Sequence, residues 1–282
     1  MFANGIIPFS SHIPHTLSRG AIVAALALGL TAAAAAPAQG ARLKTAATSP
    51  GQIFFAGKHD ARFTYRMGGS KQRDLEVEVV RRADRSVVKR WTRPGIKPDQ
   101  DYSVAWGGRK AGGGEAPSGG YTFRVREAGG PVLDATNASG QRAFDLRGHR
   151  FPVPAPHTYG DGYGAGRNHQ GQDIFAKCGS RMLAARAGRV VFVGKHSAAG
   201  HYVVIRGAGT GKDYVYMHLR RKTSAREGFR VKTGQQIGKV GATGNASGCH
   251  LHFELWSKPG WYQGGKASPN IRKVMRRWDR YS

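Results

Sequence analysis

Forty-one of the 282 residues are glycine, and they fall between short runs in which apolar and polar residues alternate. Side chains of a strand point alternately to its two faces, so a period of two describes a half-buried strand, and glycine clusters describe the turns between strands. Ala61–Arg66, Leu75–Val79 and Tyr121–Val125 alternate in this way, separated by Gly68-Gly69, Gly107-Gly108, Gly112-Gly113-Gly114 and Gly119-Gly120. Further strands are expected at 189–193, 202–205, 213–219, 236–240 and 250–256. Helical spacing occurs only in Pro269–Tyr281, where Ile271, Val274, Met275 and Trp278 recur three and four apart. The expected fold class is therefore mainly β, and a helix bundle is excluded.

The length allows two modest domains. Arg19 precedes an apolar run from Ala21 to Ala36, and Ala36-Pro37-Ala38 gives the small-x-small pattern of a cleavage site. Residues 1–38 are thus expected to be a signal peptide. Its removal leaves an exported protein, secreted or held in the cell envelope, with no stable membrane span. The competing reading, an uncleaved anchor, asks a short and alanine-rich run to supply the ~20 apolar residues of a span. Residues 39–52 read as a polar linker and 53–147 as a first β domain. Phe151-Pro-Val-Pro-Ala-Pro156 cannot continue a helix or a central strand, and glycines follow at 160, 162, 164 and 166. This break opens a second domain at 148–262, followed by a helical tail at 263–282.

Formal charge is +27, and from residue 149 onwards 23 Lys and Arg face only 6 Asp and Glu. Such a field favours polyanions. An exported chain without a recognition-helix, zinc-finger or RNA-binding signature is not expected to bind specific nucleic acid; anionic cell-wall polymers or acidic lipid headgroups could meet the basic surface, wall polymers being the partner expected here, and a charge that serves only solubility is the alternative. In an oxidising compartment the two cysteines, Cys178 and Cys249, are expected to pair. Their bond closes a loop of about 70 residues, which the chain-entropy model values at roughly 4 kcal/mol.

The chemistry gathers at two clusters. In His250-Leu251-His252, strand parity sends both imidazoles to one face, from Cα positions ~6.5 Å apart, while Leu251 and Phe253 face the core. In His169-Gln170-Gly171-Gln172-Asp173, an extended chain would hold the two side chains ~13 Å apart. A bend is needed, and Gly171 is placed to allow one. Two histidines and a carboxylate form a plausible zinc set, and three protein ligands leave a fourth position for water. Spacing does not say which of His250 and His252 binds. Parity puts His218 on the face of Tyr214 and Tyr216, and spacing alone does not bring it to the metal. The loop Gly241–Gly248 lacks the Gly-Lys-Ser/Thr ending of a phosphate-binding loop and precedes a strand, so it reads as a rim of the groove.

Two resemblances extend this reading. Val104-Ala-Trp-Gly-Gly-Arg-Lys110 with Pro117-Ser-Gly-Gly-Tyr-Thr-Phe-Arg-Val125 resembles the immunoglobulin-like module of the flagellar hook-capping protein family, with Gly107 in place of the usual acidic residue. An immunoglobulin-like β-sandwich at 53–147 is implied. Gly166–Phe175, Ala184–Val190, Tyr216-Met-His-Leu219, Gly234–Gly238, Gly241-Ala-Thr-Gly244 and Gly248-Cys-His-Leu-His-Phe-Glu-Leu255 follow one another as in the lysostaphin-type zinc metallopeptidases, which cut peptide bridges of bacterial peptidoglycan. That likeness implies a small antiparallel β-sheet metallopeptidase domain, a barrel-sandwich hybrid with a duplicated hybrid motif. It also implies one zinc ion on His169, Asp173 and His252, with His250 as general base and His218 as its partner at the water or the tetrahedral intermediate. The implied activity is hydrolysis of peptidoglycan stem or cross-bridge peptides by a zinc-activated water. A catalytically silent wall-binding protein, or an activator of another hydrolase, is the alternative, and the complete residue set counts against it. Cys249 stands where many relatives have proline.

Overall fold

The computed structural model describes residues 41–133, 135, 140–166 and 168–282; the expected signal peptide lies outside them. Residues 39–282 form one compact unit. Its first half is built from β1 (Arg42–Ser49), β2 (Gln52–Phe54), β3 (Ala61–Gly68), β4 (Arg73–Arg81), β5 (Val87–Ile96), β6 (Asp101–Trp106), β7 (Gly119–Glu127) and β8 (Ala143–Arg147). These make a three-stranded sheet, β1-β3-β6, and a five-stranded sheet, β2-β8-β7-β4-β5. Pairing is antiparallel apart from β2 with β8.

Alternation decides what the two sheets bury between them. Phe63, Tyr65 and Met67 of β3 meet Leu75, Val77 and Val79 of β4 and Tyr121, Phe123 and Val125 of β7 in one core. Phe63 and Phe123, from opposite sheets, stack with centroids 4.8 Å apart. Burying each ring contributes about 1.5–3 kcal/mol.

The linker expected at 39–52 is corrected. Arg42–Ser49 is a strand paired along its length with β3, and it buries Leu43 and Ala46. Its sequence holds too few large apolar residues to show a period, so the order comes from the partner strand. The edge strand β5 also escapes the pattern, because Lys89, Arg90 and Arg93 interrupt its apolar residues and it contains Pro94, which an edge position tolerates.

The second half comprises β9 (His157–Tyr159), β10 (Gln172–Ala176), β11 (Arg181–Leu183), β12 (Gly188–His196), β13 (Gly200–Gly207), β14 (Asp213–Leu219), β15 (Arg230–Val231), β16 (Gln236–Lys239), β17 (His250–Trp256) and α1 (Ile271–Asp279). Seven strands form one sheet, β15-β12-β13-β14-β17-β10-β9, and β11 pairs with β16. Every residue of the central strands β14 and β17 is buried. One face carries Tyr214, Tyr216, Leu251, Phe253 and Leu255 into a core that Ile271, Met275 and Trp278 of α1 complete. Residues 263–282 are therefore not a tail: their helix closes the core. The other face holds Val215, Met217, Trp256 and Trp261, and β17 adds His250, His252 and Glu254 to it. Among the described residues no helix is long and apolar enough to cross a membrane.

The two halves are stitched by polar contacts. Thr233 donates its hydroxyl to the Phe55 carbonyl at 2.6 Å and its N–H to that of Ala56 at 3.2 Å. Arg186, 1% exposed, donates to both Glu115 oxygens and to the carbonyls of Gly148 and Ala208. A guanidinium so deeply buried persists only because each face of its fork finds an acceptor.

Candidate active site

Asp173 of β10 lies directly opposite His252 of β17 in the ladder. In an antiparallel pair, residues directly opposite project to the same face. His169 reaches the pair from the loop before β10. The left-handed turn in that loop falls at Gly166 and Asn168, with φ of 53° and 57°. Gly171, expected to supply the bend, does a different job. A Cβ there would lie 2.6 Å from the Phe253 carbonyl oxygen and 2.7 Å from His252 Nε2, so glycine is needed for close approach.

Three atoms converge. His169 Nε2 is 3.0 Å from Asp173 Oδ1, His252 Nδ1 is 2.9 Å from the same oxygen, and the two nitrogens are 3.0 Å apart. The far nitrogen of each ring is committed elsewhere. His169 Nδ1 donates to the Gly162 carbonyl at 2.8 Å, since a carbonyl can only accept. His252 Nε2 donates to Glu254 Oε1 at 2.9 Å. The other Glu254 oxygen accepts from the indoles of Trp256 and Trp261 at 2.7 and 3.1 Å. With those protons spent outward, neutral rings present three lone-pair atoms to one point, which is repulsive unless a cation or extra protons sit among them. The residues therefore fit a borderline metal ion such as zinc, with each imidazole oriented from behind.

The protonation balance says the same. Burial opposes charge on His252, but hydrogen bonds to Asp173 and Glu254 outweigh it and raise its pKa to about 9. The hydrogen bond to Asp173 raises that of His169. Burial raises Asp173, yet hydrogen bonds from His169 and His252 hold its carboxyl far below the usual range. The centre attracts positive charge.

His218 stands beside this cluster for a reason that parity misses. Two residues of β14, Met217 and His218, face the single Tyr202 of β13, and His218 has φ of 60°. This bulge turns His218 away from Tyr214 and Tyr216, which stay in the core, and onto the face of His250 and His252. Its ring lies 4.5 Å from that of His250 and 6.0 Å from that of His252, centroid to centroid. Its Nδ1 donates to the Thr243 carbonyl at 2.8 Å. His250 Nδ1 donates to the Gly248 carbonyl at 2.9 Å, and its Nε2 lies 3.7 Å from Asp173 Oδ1. Burial pushes the pKa of His218 down to about 4.

The loop 241–248 thus supplies both carbonyls that orient these rings, besides lending Asn245 to the groove. Cys178 and Cys249 are joined as a disulfide, which ties down the chain next to Gly248 and His250. A groove of about 650 Å³ runs past the site, walled by Phe192, Tyr202, Met217, Trp261 and Tyr262. Its described lining comes entirely from residues 168–263, so no described residue of the first half lines it. Sequence reading missed Glu254. The signal was present: His250, His252, Glu254 and Trp256 share one parity, a polar run in an otherwise apolar strand.

Residues 167–267 match peptidase family M23. The chain carries an M23 peptidase domain. Over 136 residues it is 35% identical to the peptidoglycan DD-endopeptidase ShyB of Vibrio cholerae, a match covering 45% of this chain and 30% of that protein. It is 35% identical over 103 residues to the glycyl-glycine endopeptidase ALE-1 of Staphylococcus capitis, covering 34% and 28% respectively. The matches thus span about a third of the length of these relatives. The catalytic domain of lysostaphin from Staphylococcus simulans superimposes with a TM-score of 0.38 at 28% identity, over 43% of this chain and 92% of that one. All of the candidate residues His169, Asp173, His218, His250 and His252 lie within the M23 domain.

Proposed function

We propose that the M23 domain is a zinc metalloendopeptidase that hydrolyses peptide bonds in the stem or cross-bridge peptides of peptidoglycan, outside the cytoplasm. The convergence of His169 Nε2, Asp173 Oδ1 and His252 Nδ1, all within 4.8 Å of one another, carries the reading. A cell-wall role follows from the relatives, several of which are named as peptidoglycan endopeptidases. Export rests on the sequence pattern of residues 1–38 and on the disulfide, which belongs to an oxidising compartment.

His169, Asp173 and His252 hold the ion; zinc bound there supplies a Lewis acid that acidifies water and polarises the scissile carbonyl. The remaining work falls to the chain. His250 spends its Nδ1 proton on Gly248, so Nε2 offers a lone pair beside the cluster, takes the proton of the attacking water and returns it to the leaving amine. His218 is held neutral by burial with its proton on Nδ1. Its Nε2 is therefore an acceptor that aligns water, and it becomes a donor to a developing oxyanion only after taking up a proton. The aromatic wall and Met217 exclude water from one side of the groove.

The test is digestion of purified peptidoglycan with zinc content measured in parallel. Wild type releases soluble fragments with new amino termini, chelation stops the release, and zinc restores it. His250→Ala keeps its zinc and loses activity by about 10²–10⁴-fold, the usual worth of a general base. Zinc-loaded wild type that releases nothing, or a His250→Ala variant of unchanged rate, overturns the assignment.

A further inference from the structure

The seam between the two halves of the compact unit gathers positive charge that no described salt bridge neutralises. Residues Phe55–Gly57, just past β2, dock on the turn at 232–234 through the Thr233 hydrogen bonds and a parallel bridge between Gly57 and Thr233. That docking brings Lys58 of one half beside Lys232 of the other. Arg150 and Arg181 line the same cavity of about 490 Å³, and its described lining includes no Asp or Glu. Lys58, Arg150, Arg181 and Lys232 have no carboxylate partner among the described salt bridges.

Arg150 is the most constrained of the four. Its guanidinium carbon lies 5.4 Å from the Phe54 ring centroid. A Cβ on Gly234 would come within 3.1 Å of Arg150 Cδ and Nη1, so glycine lets the side chain lie against the turn. Its Nε is buried without a hydrogen-bond partner. Burial, and then the charge of Arg181, lower its pKa. A planar cation fixed between a ring and a backbone turn, with a spare buried donor and a second arginine nearby, is arranged to receive an oxyanion.

We propose that this interdomain cradle binds an oxyanion group of a polyanionic ligand, with Arg150 and Arg181 as principal contacts and Lys58 and Lys232 beside them. It shares no lining residue with the groove at His169, Asp173 and His252, so it is a second site, independent of whether that groove hydrolyses anything. Its ligand chemistry, phosphate or carboxylate oxygens repeated along a chain, has two sources: phosphodiester polymers and the carboxylates of wall peptides.

Titration of the full-length protein with inorganic polyphosphate and, separately, with poly-glutamate distinguishes them. The comparison is between Arg181→Gln/Lys232→Gln, both exposed residues whose loss leaves the fold intact, and Lys273→Gln/Arg280→Gln near α1, which removes the same charge elsewhere. The cradle pair weakens binding by about tenfold and flattens its dependence on salt, while the helix pair changes it by less than about twofold. Arg150→Gln, checked for folding, weakens it at least as much. Loss with polyphosphate alone assigns the phosphate source; loss with poly-glutamate alone assigns carboxylates; loss with both supports the shared chemistry. Equal loss in the two double variants means a diffuse basic field and overturns the site, as does failure of wild type to bind either polymer.

Discussion

Replacing Glu254 by glutamine tests the metal centre from behind. The carboxylate is buried and receives three N–H donors, from His252, Trp256 and Trp261. Glutamine fills the same space but has a single acceptor oxygen and an NH2 group. If the NH2 faces the indoles, two N–H groups that can only donate lose their partner, each at a cost of about 1–3 kcal/mol. The amide therefore turns its oxygen to the indoles and its NH2 to His252 Nε2. That nitrogen can accept only if it gives up its proton, which leaves the ring's one proton on Nδ1, the atom that faces Asp173 and His169. In the metal-free protein that proton bonds Asp173, so stability falls by only about 1 kcal/mol. In the metal-bound protein the proton blocks a ligand. Loss of such an outer partner reduces metal affinity by about 10–100-fold, or ~1.4–2.7 kcal/mol. Competition with a chromophoric chelator measures the affinity, and urea unfolding of the metal-free protein measures stability. A folded Glu254→Gln variant that binds zinc within about twofold of wild type would refute the tautomer argument.

Three further outcomes follow from the packing. His149 sits between Tyr214 and Trp278, and burial followed by the charges of Arg186, Arg277 and Lys212 lowers its pKa to about 3. The unfolded chain takes up that proton first, so the contribution of His149 is full above pH ~6.5 and is lost as pH falls towards 3; unfolding of His149→Phe at pH 4, 5 and 6 shows the slope reduced by about 1 kcal/mol per pH unit, and parallel slopes contradict it. Cys178→Ser/Cys249→Ser opens a closure spanning 71 residues and lowers unfolding free energy by about 2–5 kcal/mol in urea titrations, whereas a loss below about 1 kcal/mol means the bond does not constrain the unfolded chain. Gly171→Ala drives a methyl against His252 and the Phe253 carbonyl, so zinc affinity falls by at least about tenfold while α1 and its core stay folded; unchanged affinity shows that the loop yields.

Much of this was legible because period and punctuation agree. Alternation located β3, β4, β7, β14 and β17, and spacing of three and four located α1. Where the pattern was silent, the partner supplied the order, as β3 does for β1. In the site, parity placed His250 and His252 together, and the ladder then put Asp173 opposite His252. What parity cannot convey is which lone pair is free. That is decided by the carbonyls of Gly162, Thr243 and Gly248 and by Glu254, groups that a sequence pattern either does not distinguish or leaves unpaired.

His218 is where a period of two fails outright, and its backbone makes the failure testable. Its φ of 60° lies in the left-handed region, which costs an L-residue about 1–2 kcal/mol and excludes β-branched side chains most strongly. Two hydrogen bonds hold it there: its N–H donates to the Ala199 carbonyl at 2.9 Å, and its Nδ1 to that of Thr243. Asparagine tolerates the same φ, so His218→Asn removes the ring but leaves the bulge unstrained. His218→Val removes the ring and resists the bulge as well. The valine variant is expected to be less stable than the asparagine variant by about 1–2 kcal/mol in urea unfolding. Its β14 should also show faster amide exchange at Met217 and Leu219, because relaxing φ shifts the register against β13. Were the two variants equally stable with equal exchange, the turn of His218 onto the face of His250 would owe nothing to backbone conformation, and the side chain's own hydrogen bond to Thr243 would have to hold it there alone.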